Sequence, residues 1–263
     1  MRGRRNQNVL VVGSGEIAHS LLSQNPGWSS VRHSGVSATK FDNFNCVINA
    51  SFDPCYLDSD MNSSLSFDAD LASRCLHAKY IFLSTRLVYQ PGLNLHEDAE
   101  TVKVANQNAE IYGLNKLAME REITSRHNNA LILRLPNVIS QRTSTNRYWG
   151  RLTESAKQGF VSLDVSSSGI RDFLYARDLA LMLSELIGEN ATGIFNIAYP
   201  EKMPAEKLVL ELRKYFPIKS VTYAPDNTHQ YSLDSTKLGA VIDLRRFSLS
   251  SALKQILEET CTL

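Results

Sequence analysis

The chain predicts an α/β fold, a doubly wound parallel sheet with a small C-terminal lobe, and three observations carry the expectation. The apolar run Val9–Val12 leads straight into Gly13-Ser14-Gly15-Glu16-Ile17-Ala18, a strand meeting a glycine turn that opens a helix. Further short apolar runs at 46–50 and 79–83 alternate with helix-like stretches, as crossover connections between parallel strands require. A length of 263 residues with 43% hydrophobic content suffices for one large domain or two closely joined lobes.

Taken in order, residues 9–12 are short and continuously apolar, as a buried parallel strand should be. The glycines that follow permit a tight turn and let a pyrophosphate approach the amides that begin the next helix. Gly13, Ser14, Gly15, Glu16 and Ile17 are therefore the expected dinucleotide contacts. That helix stops at Asn25-Pro26-Gly27. The next strand spans about residues 28–32. Where a fold selective for NAD offers an acid to the ribose hydroxyls, this chain has Arg32, His33 and Ser34, and an arginine suits the extra phosphate of NADP. Residues 35–45 leave little room for a full helix and strand, so this crossover is trimmed. A buried strand at 46–51, a polar stretch, a helix over 61–77 and a strand at 79–83 follow. Ligands bind such sheets at the carboxyl ends of the strands, which places Ala50, Ser51 and Thr85 at the site.

The segment 110–123 is rich in good helix formers and carries Tyr112 and Lys116, four residues apart and so on one helix face. A free phenol titrates near pKa ~10, too high for rapid proton exchange at neutral pH; a neighbouring ammonium lowers it and makes it a usable acid or base. A hydroxyl such as Thr85, delivered from the end of the adjoining strand, would hold a substrate oxygen beside it. The pattern also occurs at Tyr215 and Lys219, but Pro217 lies between them and breaks the helix that would align the pair.

Composition excludes several classes. A net charge of +1 gives no bulk attraction to nucleic acid or an acidic membrane, and Arg2, Arg4 and Arg5 are expected to form a solvated tail. No apolar run approaches the ~20 residues that span a bilayer, and no secretory leader is visible. Cys46, Cys55, Cys75 and Cys261 are widely spaced, without metal-type pairing. A cytoplasmic protein with reduced thiols and no metal site is expected.

The glycine turn, Val47-Ile48-Asn49-Ala50, the segment from Phe82 through Ser84 and Thr85 to Tyr89, and Tyr112 with Lys116 occur in the order seen in extended short-chain dehydrogenases, which have Rossmann folds. The chain resembles, more specifically, the NAD-dependent epimerase/dehydratase family that acts on nucleotide sugars. The segments 133–138, 170–180, 193–198 and 233–238 extend the likeness over nearly the whole chain. The resemblance implies a catalytic hydroxyl at Thr85, an acid/base at Tyr112, its activating partner and ribose contact at Lys116, and a supporting asparagine at or near Asn62. It places substrate at Thr85, Arg86, Asn137 and Arg171, the last as the diphosphate ligand. The alternative for Arg171 is a salt bridge to Asp172 or Asp178. Two departures matter: Val12 and Ala18 stand for family glycines, and Arg86-Leu87 replaces the acidic pair of members that eliminate water.

The resemblance divides the chain into a dinucleotide-binding domain, 1–140 with 173–198 returning to it, and a substrate-binding lobe, 141–172 with 199–263. Within the lobe, 141–147 reads as a polar cover and 250–259 as a closing helix capped by Ser250. The expected activity is an NAD(P)-dependent reductase of a keto-deoxysugar nucleotide, with NADP favoured over NAD. An epimerase that retains NAD and a non-catalytic dinucleotide-binding sensor are the alternatives. A homodimer is expected from the resemblance.

Overall fold

The computed structural model describes residues 8–105, 107–141, 144–145 and 147–261, without the side chain of Cys261. The arginines at 2, 4 and 5 lie outside the described residues, as do three positions of the expected cover. Six parallel strands make the central sheet: β1 (Val9–Val12), β2 (Ser29–Val31), β3 (Cys46–Asn49), β4 (Lys79–Thr85), β6 (Leu131–Leu135) and β10 (Gly193–Asn196), in the spatial order β10-β6-β4-β3-β1-β2. The order reverses at β1 and β3, so a crevice opens at the carboxyl ends of these two strands. The doubly wound expectation is met.

Helices α1 (Glu16–Gln24), α2 (Phe67–Arg74), α3 (Asn108–Arg126) and α5 (Ala176–Gly188) accompany the sheet. The short strands β5 (Gly92–Leu95), β7 (Asn137–Ile139), β8 (Phe160–Leu163), β9 (Phe173–Tyr175), β11 (Ser220–Tyr223) and β12 (Tyr231–Leu233) form three two-stranded parallel ladders, β8 with β11, β5 with β12 and β7 with β9. The remaining helices are α4 (Tyr148–Lys157), α6 (Ala205–Arg213), α7 (Thr236–Gly239) and α8 (Leu249–Cys261). One hydrophobic core runs from Val11 and Ile48 in the sheet through Leu179 and Leu183 of α5 to Trp149, Leu208 and Leu257. The later segments therefore pack directly on the sheet and share its core. No helix among the described residues is long and apolar enough to cross a membrane.

Several boundaries differ from expectation. The crossover at 35–45 is indeed trimmed, to two 3-10 turns. The helix expected over 61–77 is only Phe67–Arg74, because Ser66 caps it by accepting from the Ala69 amide at 3.1 Å. The closing helix begins at Leu249, and it is Ser248, not Ser250, whose hydroxyl accepts from an amide of its first turn. Ser250 is instead bound to Glu201. Residues 215–219 are not helical, as Pro217 dictates.

Candidate active site

Thr85 closes β4, is nearly buried, and its hydroxyl oxygen accepts from the Leu87 amide at 3.3 Å. Opposite it stands α3, a 19-residue helix opened by a reciprocal capping box of Gln107 and Glu110. Gly113 lets α3 come close, since a β-carbon there would lie 2.0 Å from the Leu87 carbonyl oxygen. Tyr112, beside that glycine, is thereby brought to the cleft where Thr85 ends. Thr85, Tyr112 and Lys116 all line one cleft of about 610 Å³, together with Arg86 and Asn137. The hydroxyl of Tyr112 makes no hydrogen bond to any described residue, so its proton is free for a ligand.

Lys116 is 5% exposed; its ammonium donates to the Leu83 carbonyl at 3.1 Å and sits over the rings of Tyr56 at 3.9 Å and Phe82 at 4.3 Å. Such cation–π contacts hold a desolvated ammonium in place. Burial lowers its pKa, against the opposing charges of Asp68 and Asp53. The expectation that Lys116 depresses the phenol is corrected here: the ammonium lies 6.0 Å from the Tyr112 ring centre, and burial pushes Tyr112 up to about 12. The charge that pulls it the other way is Arg147. Tyr56 donates to Asp68 at 2.5 Å, and Asp68 also accepts from Asn49 at 2.7 Å and Tyr80 at 2.7 Å, which fixes the ring under Lys116.

Asn62 does not join this group. It is exposed and caps a 3-10 turn, accepting from the Ser64 amide at 3.1 Å, because α2 starts later than expected. Asp68 is what α2 turns inward.

Beside this cleft a pocket of about 270 Å³ is lined by Gly13, Ser14, Gly15, Glu16, Ile17, Ala50 and Ser51, with His33, Phe52, Val138 and Arg147. Gly13 has φ +127°, and a β-carbon on it would meet the Ala50 carbonyl carbon at 2.8 Å, so only glycine serves there. No side chain caps α1, and the Glu16 carboxylate turns away to accept from the Ser140 hydroxyl at 2.9 Å and the Ser144 amide at 3.2 Å. The start of α1, where an anion is favoured, borders this pocket. The residues present thus fit a dinucleotide. Arg32 is exposed at the start of a 3-10 turn and does not line the pocket; His33 does.

Arg171 is buried outside the residues that line the cleft. It pairs with Asp164 rather than Asp172 or Asp178, and its guanidinium lies 4.3 Å from the Tyr148 ring centre. Asp172 is taken by Lys202 at 2.9 Å, and Asp178 by Tyr199 at 2.6 Å. Asn137 accepts from Arg86 at 3.1 Å and donates to the Asp172 carbonyl at 3.3 Å. A wider groove of about 750 Å³, between Pro200 and the segment 239–248, holds no free acid: Glu201 is bound by Ser248 and Ser250, and Asp243 by Arg245.

The residues that sequence reasoning missed are Arg147, which lines both the cleft and the glycine pocket, Tyr56 and Asp68. Arg147 ended the stretch expected to cover substrate, but nothing in its own sequence marks it as a neighbour of Tyr112.

The family described as "NAD dependent epimerase/dehydratase family" matches residues 61–198, just over half of the chain. The chain belongs to this family. Its members are NAD(P)-dependent enzymes of the extended short-chain dehydrogenase type, and this epimerase/dehydratase-family chain is one of them. No curated protein matches the chain. Solved structures do, as likenesses of fold. A dTDP-4-dehydrorhamnose reductase from Bacillus anthracis, solved with NADP, is 16% identical with a TM-score of 0.74, over 97% of this chain and 100% of that one. A UDP-N-acetylglucosamine 4-epimerase from Methanobrevibacter ruminantium, solved with UDP-N-acetylmuramic acid, is 16% identical with a TM-score of 0.75, over 98% and 99%. A UDP-glucuronic acid 4-epimerase mutant from Bacillus cereus, solved with NAD, is 18% identical with a TM-score of 0.75, over 97% and 99%.

Proposed function

We propose that the protein is a reductase of a keto-deoxysugar nucleotide that uses NADPH in preference to NADH. The observation that carries this is the cleft in which Thr85, Tyr112 and Lys116 converge, with the Tyr112 hydroxyl unpartnered, beside a pocket shaped for a dinucleotide. The nicotinamide, when bound, supplies the hydride. The chain's own task is to seat the carbonyl and move a proton: the Thr85 hydroxyl donates to the ketone oxygen, and Tyr112 delivers the proton that oxygen needs. Lys116, its ammonium over the rings of Tyr56 and Phe82, is held at the floor of the same cleft. Arg86-Leu87 in place of an acidic pair speaks against loss of water.

Arg32, His33 and Ser34 after β2, where NAD-selective folds have an acid, support NADP. We assign the segments 141–172 and 199–263 to the substrate side, and a homodimer belongs to the same proposal. The names of the structural neighbours include both reductases and epimerases, so nucleotide-sugar epimerisation with a retained NAD is the second reading.

The test is a panel of keto-deoxysugar nucleotides assayed with NADPH and with NADH, following absorbance of the reduced nicotinamide. Oxidation of NADPH is expected, falling about 10²–10⁴-fold in Tyr112→Phe with cofactor binding retained. Turnover of a sugar nucleotide by purified protein without added cofactor would favour the epimerase. No cofactor oxidation with any substrate, or full activity in the variant, would overturn the proposal.

A further inference from the structure

Arg86 follows Thr85 in the chain and lines the catalytic cleft, yet it is only 8% exposed. Its Nη1 donates to the Asn137 side-chain oxygen at 3.1 Å, its guanidinium lies 5.0 Å from the Tyr231 ring centre, and its Nε has no hydrogen-bond partner. No described carboxylate is within ion-pair distance of it. A buried full charge is costly unless an opposite charge meets it, and an amide oxygen with an aromatic face is a weak substitute. Burial pulls the guanidinium down to about 10, with Arg171 adding like-charge repulsion.

The nearest described carboxylates that act on it through charge, Asp164 and Asp172, are each paired with another cation. Asp164 is committed to Arg171, and Asp172 accepts from Lys202 at 2.9 Å and from the Leu233 amide at 2.7 Å. Nor does the cofactor pocket account for the charge, because Arg86 is not among the residues lining it.

We propose that Arg86 receives an anionic oxygen group of the substrate. That the ligand is a nucleotide sugar rests on the function proposed above; that an oxyanion binds at Arg86 does not. Two sources present this chemistry, the diphosphate of the nucleotide and a carboxylate on the sugar ring. Either can engage the terminal guanidinium nitrogens in a forked pair of hydrogen bonds.

The experiment is calorimetric titration of the full chain, saturated with oxidised cofactor, with uridine, UDP, UDP-glucose, UDP-glucuronic acid and inorganic pyrophosphate. Arg86→Gln and Arg86→Lys are compared with the wild type, each first shown to be folded by circular dichroism. Arg86→Gln is expected to weaken the anionic ligands about 10- to 100-fold and to leave uridine within twofold, with Arg86→Lys in between. A loss already present with UDP assigns the group to the diphosphate; a loss confined to UDP-glucuronic acid assigns it to the ring. Wild-type affinity for every ligand in Arg86→Gln overturns the proposal. If the wild type binds no uridine compound, the proposed nucleotide-sugar function is in trouble, while the pyrophosphate arm still tests Arg86 by the same comparison.

Discussion

Ser84 and Thr85 are neighbours at the end of β4, and each has a buried arginine beside it. On the Ser84 side, Arg134 grips Glu120 through its Nε at 3.1 and 3.2 Å and its Nη2 at 2.6 Å, and donates to the Glu97 carbonyl at 2.8 Å. The Ser84 hydroxyl adds a bond to the same carboxylate at 2.5 Å. Burial works against the Arg134 charge, but the hydrogen bonds and charge of Glu120 outweigh it and raise its pKa. On the Thr85 side, Arg86 has an amide, a ring face and an orphaned Nε, and the Tyr112 hydroxyl has no hydrogen-bond partner among the described residues. The first arrangement is complete without a ligand and ties β4, α3 and β6 together. The second is incomplete, which is what a binding site looks like before its ligand arrives.

The contrast breaks most readily at Arg134. Arg134→Met strands a buried carboxylate and is expected to cost about 3–5 kcal/mol in urea unfolding, most of it recovered when Glu120→Leu is added. A loss under about 1 kcal/mol would show that the paired side is not the structural one. The next largest effect concerns the phenol. With Tyr112 pushed up to about 12, it stays protonated through the neutral range, so ketone reduction should be flat between about pH 7 and 9. Oxidation of the alcohol, which needs the phenolate, should rise about tenfold per pH unit over the same range. Rates of kcat/KM in both directions check this, and a reductive rate that falls over the same interval would mean that a bound ligand resets the phenol. The smallest effect is at Arg86. Removing an unpaired buried charge in Arg86→Met should leave unfolding stability unchanged or raise it by about 1 kcal/mol. A loss above about 2 kcal/mol would make Arg86 a structural group like Arg134.

How much of this was legible depended on sequence separation. Gly13 and Gly15 could be read because the turn, the strand before it and the helix after it are contiguous, and the structure gives Gly13 the positive φ such a turn needs. Tyr112 and Lys116 could be read because four residues on a helix fix a shared face. What failed was long-range or set by a single cap. Ser66 shortens α2 by a local bond that competes with the helix-forming pattern around it, and Asn62 is left outside the site as a result. Of the two salt bridges weighed as the alternative to a diphosphate at Arg171, with Asp172 or Asp178 ahead of it, neither forms; its partner is Asp164, seven residues behind. The contact of Lys116 with Tyr56, sixty positions earlier, and the influence of Arg147 on Tyr112 arise only when the chain folds back on itself, and no local pattern encodes them.

The closeness of α3 to the turn after β4 has its own consequence. With 2.0 Å between a hypothetical β-carbon at Gly113 and the Leu87 carbonyl oxygen, the spacing of the phenol and the alcohol across the cleft is governed by a residue that has no functional group at all. A single methyl at that point would act as a wedge, parting the two reactive oxygens while leaving both in place on their own elements.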